Sequence, residues 1–505
     1  MTDDVLLAVD AGTSRVKAVA FAPDGAELAS AARGTETLRP APGQVEQDMD
    51  AVWEATAAAL GEVTDQLPDG ADPVGLGVTG QGDGLWAITA DGEPARNAVL
   101  WSDSRAAPLL DEWEASGTLA AIVEQCGSAP YPGMSLPLLA WLARERPAEF
   151  ERVDTVLSCK DWLKFRLTGE RSIDHSEATV PYLDTTAEYE PAVFDRVGLS
   201  GVADVLPRLA APTEVVGHVT DAAAAATGLD AGLPVVSGAF DVPASALGSG
   251  AATAGDAAVT LGTSLTHQVL VDGPQDDASG IQMALGLDGL WTYAIGSNAG
   301  TPSLEWAADT VAGGRSVDAL AELAEPVPVG SEGVLYHPYL SSTGERGPFV
   351  DPDARGQFIG LTTEHGTGHL LRAVYEGLSL AVRDCIEHLP AAISEVRLSG
   401  GGARSPFWCQ LIADSLGRPT AVPAGSEVGA KGAAILLALG LGEYPSLAAA
   451  VEEMVAIERR YTPRAGAGRY DDLYELFLDV RTEMAPLWSR RAETYRGLGD
   501  DSGAS

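Results

Sequence analysis

The sequence predicts an α/β protein built from two related lobes, and three observations predict it. The chain has 505 residues, 46% of them hydrophobic and 21% charged, an ordinary balance for a folded protein with room for two or three domains. It opens with two apolar runs of strand length, residues 5–10 and 16–21, on either side of a Gly12-Thr13-Ser14 turn. The same pattern returns at residues 257–261, Gly262-Thr263-Ser264 and 267–271. Two apolar runs around a tight turn read as an antiparallel hairpin, and recurrence of the unit reads as duplication.

The other elements follow in chain order. Asp24-Gly25 marks a second turn, and residues 27–33 return as a third strand. Residues 48–60 carry helical periodicity with Asp48 as cap. Residues 75–78 and 84–88 are short apolar strands; 138–143 and 160–167 are helical. Residues 235–241 read as a buried strand ending in an acid, and Gly248-Ser249-Gly250 as a lobe boundary. Residues 396–402 form a strand entering a glycine turn, with helices at 405–416 and 429–439. Residues 463–468 break the chain, 470–495 give one terminal helix or two, and 497–505 fray.

Charge narrows the function classes. Lys+Arg is 32 and Asp+Glu 72, so the balance is 32 − 72 = −40, with a pI near 4.3. Such a field repels nucleic acid and anionic membrane but not a neutral substrate. Only Lys17, Lys160, Lys164 and Lys431 are lysines. An acid-rich, lysine-poor surface suits high salt, where screening removes self-repulsion; codon bias explains the lysine scarcity as well, though not the acid excess. If salt adaptation is the cause, the melting temperature rises as molar KCl is added; a maximum near dilute buffer would favour codon bias. Cys126, Cys159, Cys385 and Cys409 are scattered without CxxC spacing, as buried thiols of a reducing compartment are. The acidic start shows no signal peptide and no window approaches 18 apolar residues, so the expectation is a cytoplasmic chain without membrane partners.

Several motifs carry chemistry. Asp10-Ala11-Gly12-Thr13-Ser14 sets a carboxylate at a strand end beside backbone amides and two hydroxyls, a setting for Mg²⁺ next to phosphate, with Lys17 in reach. Gly262-Thr263-Ser264 offers a second amide nest, and Gly400-Gly401-Gly402 lets a flat ligand approach closely. Gln81-Gly82-Asp83-Gly84 pairs an amide with an acid, as recognition of vicinal hydroxyls requires. Trp101 and Asp103 form a second such cluster, for which the alternative is a local Asp103–Arg105 ion pair. Asp241, facing a lobe boundary, is placed to be a general base. Other signatures fail. Gly425–Gly432 lacks P-loop spacing. Gly75-x-Gly77-x-x-Gly80 runs into Gln81-Gly82-Asp83-Gly84, which cannot open the helix a dinucleotide site needs. His365 and His369 have glycines between them and read as a surface turn entering a helix. There is no GxSxG elbow.

Together these residues resemble the FGGY family of carbohydrate kinases. The resemblance is carried by Gly356-Gln357-Phe358-Ile359-Gly360-Leu361, seven residues, then His369-Leu370 and Ala373-Val374-Tyr375-Glu376. It extends through Gly401-Gly402-Ala403-Arg404-Ser405 with Trp408, Gln410, Asp414 and Gly417, and through Glu427-x-Gly429-Ala430-x-Gly432-Ala433-Ala434. The resemblance implies two actin-like (ribonuclease-H-like) lobes around an active-site cleft: residues 1–248 for sugar and base, 249–445 for nucleotide, then a helical segment 446–505. By that resemblance Asp10 lies near Mg²⁺; Gly12, Thr13, Ser14, Lys17, Gly262, Thr263, Gly300, Gly401, Gly402 and Ala403 bind ATP; Asp241 is the catalytic base. Gln81, Gly82, Asp83, Trp101, Asp103 and Lys160 meet the substrate. Xylulokinases of the family commonly show Met-His-Gly in the substrate loop and glycerol kinases Arg-Glu. Gln81-Gly82-Asp83-Gly84-Leu85-Trp86 is closer to members acting on L-xylulose or on erythritol and xylitol, and Val242 replaces a commonly polar residue. The expected activity is ATP-dependent phosphorylation of a terminal hydroxyl, of a ketopentose first and of a polyol or glycerol as alternatives, by a chain that pairs as a homodimer. The rivals are an actin-like ATP-binding protein without kinase activity and a nicotinamide-linked polyol dehydrogenase.

Overall fold

A computed structural model describes residues 4–179, 182–200, 202–276 and 280–500. The chain forms two compact units: Met1–Ala254, Leu270–Tyr293 and Glu427–Ala456 make one, Gly255–Val269, Ala294–Ser426 and Ile457–Ser505 the other.

The first unit is organised on a six-stranded sheet ordered Val215–His218, Pro234–Val236, Asp72–Gly80, Asp4–Ala11, Arg15–Phe21, Glu27–Gly34. Asp4–Ala11 and Arg15–Phe21 pair antiparallel, with Asp10 opposite Lys17. Asp4–Ala11 runs parallel to Asp72–Gly80. Burial follows position in the sheet. Asp4–Ala11 is central and buried on both faces, so it is almost uninterruptedly apolar. Glu27–Gly34 lies at the edge and mixes buried alanines with exposed residues. The helix Met49–Asp65 packs against the two strands at that edge. Asp48 caps it as expected, its Oδ1 accepting from the amides of Asp50 and Ala51 at 2.9 and 3.1 Å.

The helix Val428–Gly440 lies against Asp4–Ala11, Asp72–Gly80 and the helix Asp241–Gly248. Small residues permit the approach: a Cβ at Gly77 would overlap the carbonyl oxygen of Ala433. The glycines that imitate a dinucleotide fingerprint therefore serve a helix–sheet contact.

The second unit repeats the plan. The seven-stranded sheet is ordered Ile281–Ala284, Leu290–Ser297, Leu265–Asp272, Ala257–Leu261, Val396–Ser399, Thr420–Pro423, Ile457–Tyr461, its first strand having no counterpart in the six-stranded sheet. Ala257–Leu261 pairs antiparallel with Leu265–Asp272 and parallel with Val396–Ser399. Third strand, hairpin, two parallel strands and an antiparallel edge thus occur in the same order in both units. The hairpin repeat read from the sequence marks that duplication.

Residues 470–495 belong to one helix, Arg469–Asp500, with Pro486 inside it. Buried pairs clamp it to the helix Thr367–Glu387: Arg481 to Asp384, Tyr474 Oη to Asp384 Oδ1 at 3.1 Å, and Tyr470 Oη to Glu376 Oε1 at 3.0 Å. The helix runs to Asp500, and residues 501–505 of the tail expected to fray lie outside the described residues.

Two further expectations are corrected. The strand expected at 235–241 stops at Val236, because Gly238 takes φ +70° and turns the backbone. Asp241 is the first residue of a helix, not the last of a strand. The strand expected at 84–88 starts at Trp86, since Asp83 and Gly84 both have positive φ. Among the described residues, no helix is long and apolar enough to cross a membrane.

Candidate active site

In the first unit, Asp10 ends the central strand and Lys17 faces it across the hairpin. The Lys17 ammonium is 2.5 Å from Glu427 Oε2. Glu427 lies inside a quoted motif, but sequence reading gave it no role. Burial pushes the Asp10 carboxyl up to about 6; Lys17 pulls it down and Glu427 adds to the rise. A Cβ at Gly429 would overlap the Asp10 carboxylate, so the helix Val428–Gly440 begins against it.

The turn beyond Asp10 is tied to the loop at residues 81–84. Gly12 donates its amide to Arg15 O at 3.0 Å. Thr13 Oγ1 donates to Gln81 Oε1 at 2.8 Å and accepts from Trp101 Nε1 at 3.1 Å. Gln81 Nε2 donates to Gln47 Oε1 at 2.8 Å, and Gln47 Nε2 to Thr13 O at 2.6 Å. Ser14 is exposed. Gln81 is almost wholly buried, and in this structure it joins the two loops.

Gly82 packs against Phe240, where any Cβ would overlap the ring. Asp83 follows at φ +57°, a left-handed conformation uncommon for a residue other than glycine. Its amide donates to Glu177 Oε1 and its Oδ2 accepts from Tyr131 Oη, both at 2.7 Å. Burial raises the Asp83 carboxyl to about 7 against the pull of Tyr131. Asp241 lies well above the usual carboxylate range through burial first, then the charges of Asp10 and Asp83. The structure therefore brings Asp10, Asp83 and Asp241 into electrostatic contact within one unit. No pattern in the sequence pairs these three acids; their proximity comes from strands and a helix far apart in the chain.

The raised Asp83 has a measurable consequence. Between about pH 4 and 7 the folded chain keeps this proton and the unfolded chain does not, so stability falls as pH rises through that window and levels off above it. Replacing Asp83 with Asn should raise the ligand-free melting temperature at pH 8 by several degrees, with a ceiling of about 4 kcal/mol from about 1.4 kcal/mol per pH unit, and change it little at pH 4. Equal shifts at both pH values would show that the carboxyl carries no such strain.

Two further residues expected at the acceptor, Asp103 and Lys160, are buried in ion pairs. Asp103 is buried, accepts from the Val45 amide at 2.6 Å and pairs with Arg105 at 2.8 Å; the ion-pair alternative describes this geometry. Lys160 has no exposed surface. Its ammonium lies 2.6 Å from Asp161 and 2.7 Å from Asp174, and Asp161 is also 2.7 Å from Lys164. Asp161 thus lies between two ammonium groups, and Lys160 lies between two carboxylates. Sequence reading missed this cluster. The signal was present in Lys160, Asp161 and Lys164, half of the chain's lysines around one acid on one short helix.

In the second unit, the Gly262-Thr263 turn packs on Gly300, where a Cβ would overlap the carbonyl oxygens of both turn residues. Thr301 donates its amide to Gly262 O at 2.9 Å. Gly401 is exposed with an open face, while Gly402 and Ala403 are buried, and Ala403 O accepts from Arg459 Nη2 at 3.1 Å. Two glycine turns thus lie at the ends of adjacent parallel strands, Ala257–Leu261 and Val396–Ser399. His365 and His369 sit at the surface where the helix Thr367–Glu387 begins, His369 beside Glu332 at 3.2 Å.

Comparison with known proteins divides the chain into two consecutive stretches. Residues 5–248 match the N-terminal domain model of the FGGY family of carbohydrate kinases, and residues 257–441 its C-terminal domain model. The chain is 32% identical to the erythritol kinase of Brucella abortus (strain 2308) over 514 residues, covering 97% of this chain and 98% of that protein. It is 32% identical to the xylulose kinase of Escherichia coli (strain K12) over 490 residues, covering 95% and 99%. Among solved structures it resembles the xylulose kinase from Rhodospirillum rubrum, with TM-score 0.88, 29% identity and coverage of 96% of this chain and 100% of that one.

Proposed function

Given that this chain belongs to the FGGY family of carbohydrate kinases and is an ATP-dependent sugar phosphotransferase, we propose that its acceptor is a neutral ketopentose of the xylulose type and that Asp241 is its base. The observation that carries the reading is the grouping of Asp241 with Asp83 and Asp10 in one unit, with the Thr13 turn hydrogen-bonded to the substrate loop through Gln81. In this reading Asp241 takes the proton from the terminal hydroxyl. The freed oxygen attacks the γ-phosphorus in line, the bond to the β-phosphate oxygen breaks, and ADP leaves. Gln81, Gly82, Asp83 and Trp101 position the acceptor. Gly12, Thr13, Ser14 and Lys17 in the first unit, and Gly262, Thr263, Gly300, Gly401, Gly402 and Ala403 in the second, bind the nucleotide.

Asp10 fits Mg²⁺. It is a hard oxygen donor at a strand end, and the burial that disfavours its charged form is what a bound cation would offset. When bound, the ion supplies charge neutralisation to the phosphates. We also propose the lobe limits 1–248 and 249–445 with the segment 446–505, supported by the two family models, and a cytoplasmic location, supported by four buried cysteines, none in a disulfide.

A carboxyl-rich site repels an anionic acceptor, which argues for a neutral sugar over a sugar acid. The 32% identity to an erythritol kinase favours a neutral polyol as the second reading. A coupled ATP-consumption screen over ketopentoses, erythritol, xylitol, ribitol, glycerol and gluconate tests both. The largest kcat/KM on a ketopentose supports the first reading, on erythritol or xylitol the second, and on gluconate neither.

A further inference from the structure

The one-turn helix His175–Ala178 adjoins the site, and two of its side chains, Ser176 and Glu177, accept backbone amides there. Asp174 caps the helix, its Oδ2 accepting from the Ser176 amide at 2.8 Å and the Ser176 hydroxyl at 2.5 Å. With its proton donated downward, Ser176 Oγ accepts the amide of Phe240 at 2.9 Å. Phe240 precedes Asp241 and carries the ring against which Gly82 packs. Glu177 turns the other way and accepts the Asp83 amide on Oε1. The turn itself is anchored: Thr179 Oγ1 donates to His175 O at 2.5 Å and accepts from the Ala284 amide at 2.9 Å. Below it, Asp174 is fixed by Lys160.

Glu177 is the unusual member. It is buried, and its second oxygen, Oε2, has no hydrogen-bond partner in the structure. A buried carboxyl with one oxygen unsatisfied is unfavourable for stability. What it provides is an acceptor for an amide that would otherwise be stranded, on a residue held at φ +57°. The Tyr131 hydroxyl fixes the Asp83 side chain, and Glu177 fixes its backbone.

We propose that Glu177 is a positioning residue for the acceptor: by holding the Asp83 amide it sets the left-handed turn of the substrate loop and so aims the Asp83 carboxyl, while Ser176, on the same helical turn, holds the backbone at Asp241. Glu177 does not touch the acceptor. The substrate loop and the base rest on one strut, with separable effects on binding and on turnover. The inference rests on the reading of Asp83 and Asp241 given above.

The test is steady-state kinetics, with each substrate varied in turn, on the full chain. Glu177→Ala should raise the acceptor KM by about tenfold or more, the usual consequence of stranding a buried donor, and leave the ATP KM within twofold. Glu177→Gln keeps an oxygen for the Asp83 amide and should recover most of the lost acceptor affinity. Ser176→Ala should lower kcat by about tenfold with the acceptor KM within twofold, since small displacements of a catalytic group are costly. Equal changes in both KM values for Glu177→Ala would overturn the proposal, as would no change in either, or a Gln variant no better than Ala. Should Glu177→Ala not fold, Glu177→Gln and Ser176→Ala decide: an acceptor KM raised tenfold by Gln, or a kcat untouched by Ser176→Ala, refutes it. Full activity in Asp241→Asn would instead overturn the functional reading itself, which separates the two failures.

Discussion

Replacing Asp241 with Asn should lower kcat by about 10²–10⁴-fold, the range in which a positioned base contributes, while ATP binding stays within a few-fold of the parent. The asparagine keeps the size of the side chain at the first position of its helix but cannot take a proton. Because burial, Asp10 and Asp83 all disfavour the charged form of Asp241 in the ligand-free site, the parent enzyme should also lose activity as pH falls, and the variant's residual rate should lack that limb. Single-turnover phosphate transfer together with calorimetric titration of ATP measures both. Turnover within tenfold of the parent would remove Asp241 from the mechanism, and parallel loss of ATP binding would make it a structural residue.

Replacing Asp161 with Ala should destabilise the protein by about 3–5 kcal/mol, the usual result of removing one partner from a buried ion pair. Asp161 has no exposed surface and lies between two equally buried ammonium groups, with a bond from Ser158 Oγ at 2.6 Å. Burial pushes its carboxyl up, yet Lys160 and Lys164 hold it at about 2. Its depressed pKa gives stability that is fully present above about pH 4 and is lost as pH falls toward 2, so the difference between parent and variant should shrink across that interval. Urea titrations at pH 7 and pH 3 measure it. A neutral substitution would mean that water reaches these lysines. Acceptor kinetics of Lys160→Met, which keeps the chain's bulk, would then show whether the cluster supports the site above it.

The sequence made the architecture legible where hydrophobic patterning and turn chemistry agree. Both hairpins, the Asp48 cap and the small-residue helix after Glu427 are examples. It misled where one glycine outweighed an apolar run. Residues 235–241 read as continuous strand, yet Gly238 bends the backbone and makes Asp241 a helix start. Site residues marked by type, such as Asp10, Asp83 and Asp241, were legible one by one. Their supports were not: Glu177, Tyr131 and Glu427 are separated from their partners by 94, 48 and 410 positions, and only tertiary structure brings such groups within a hydrogen bond. Trp101 and Asp103 are two residues apart, yet the indole reaches Thr13 while the carboxylate turns to Arg105.

The six segments of the two units mean that the chain passes between them five times, and this has a consequence for biosynthesis. The central strands of the first unit leave the ribosome early, but the helix Val428–Gly440 that covers them is made more than 340 residues later. At about 5–20 residues per second that wait lasts roughly 20–70 s, during which a nascent apolar sheet face stays uncovered and calls for chaperone protection. A gene cut after codon 426 should for the same reason yield insoluble product, whereas supplying residues 427–505 in trans should rescue it.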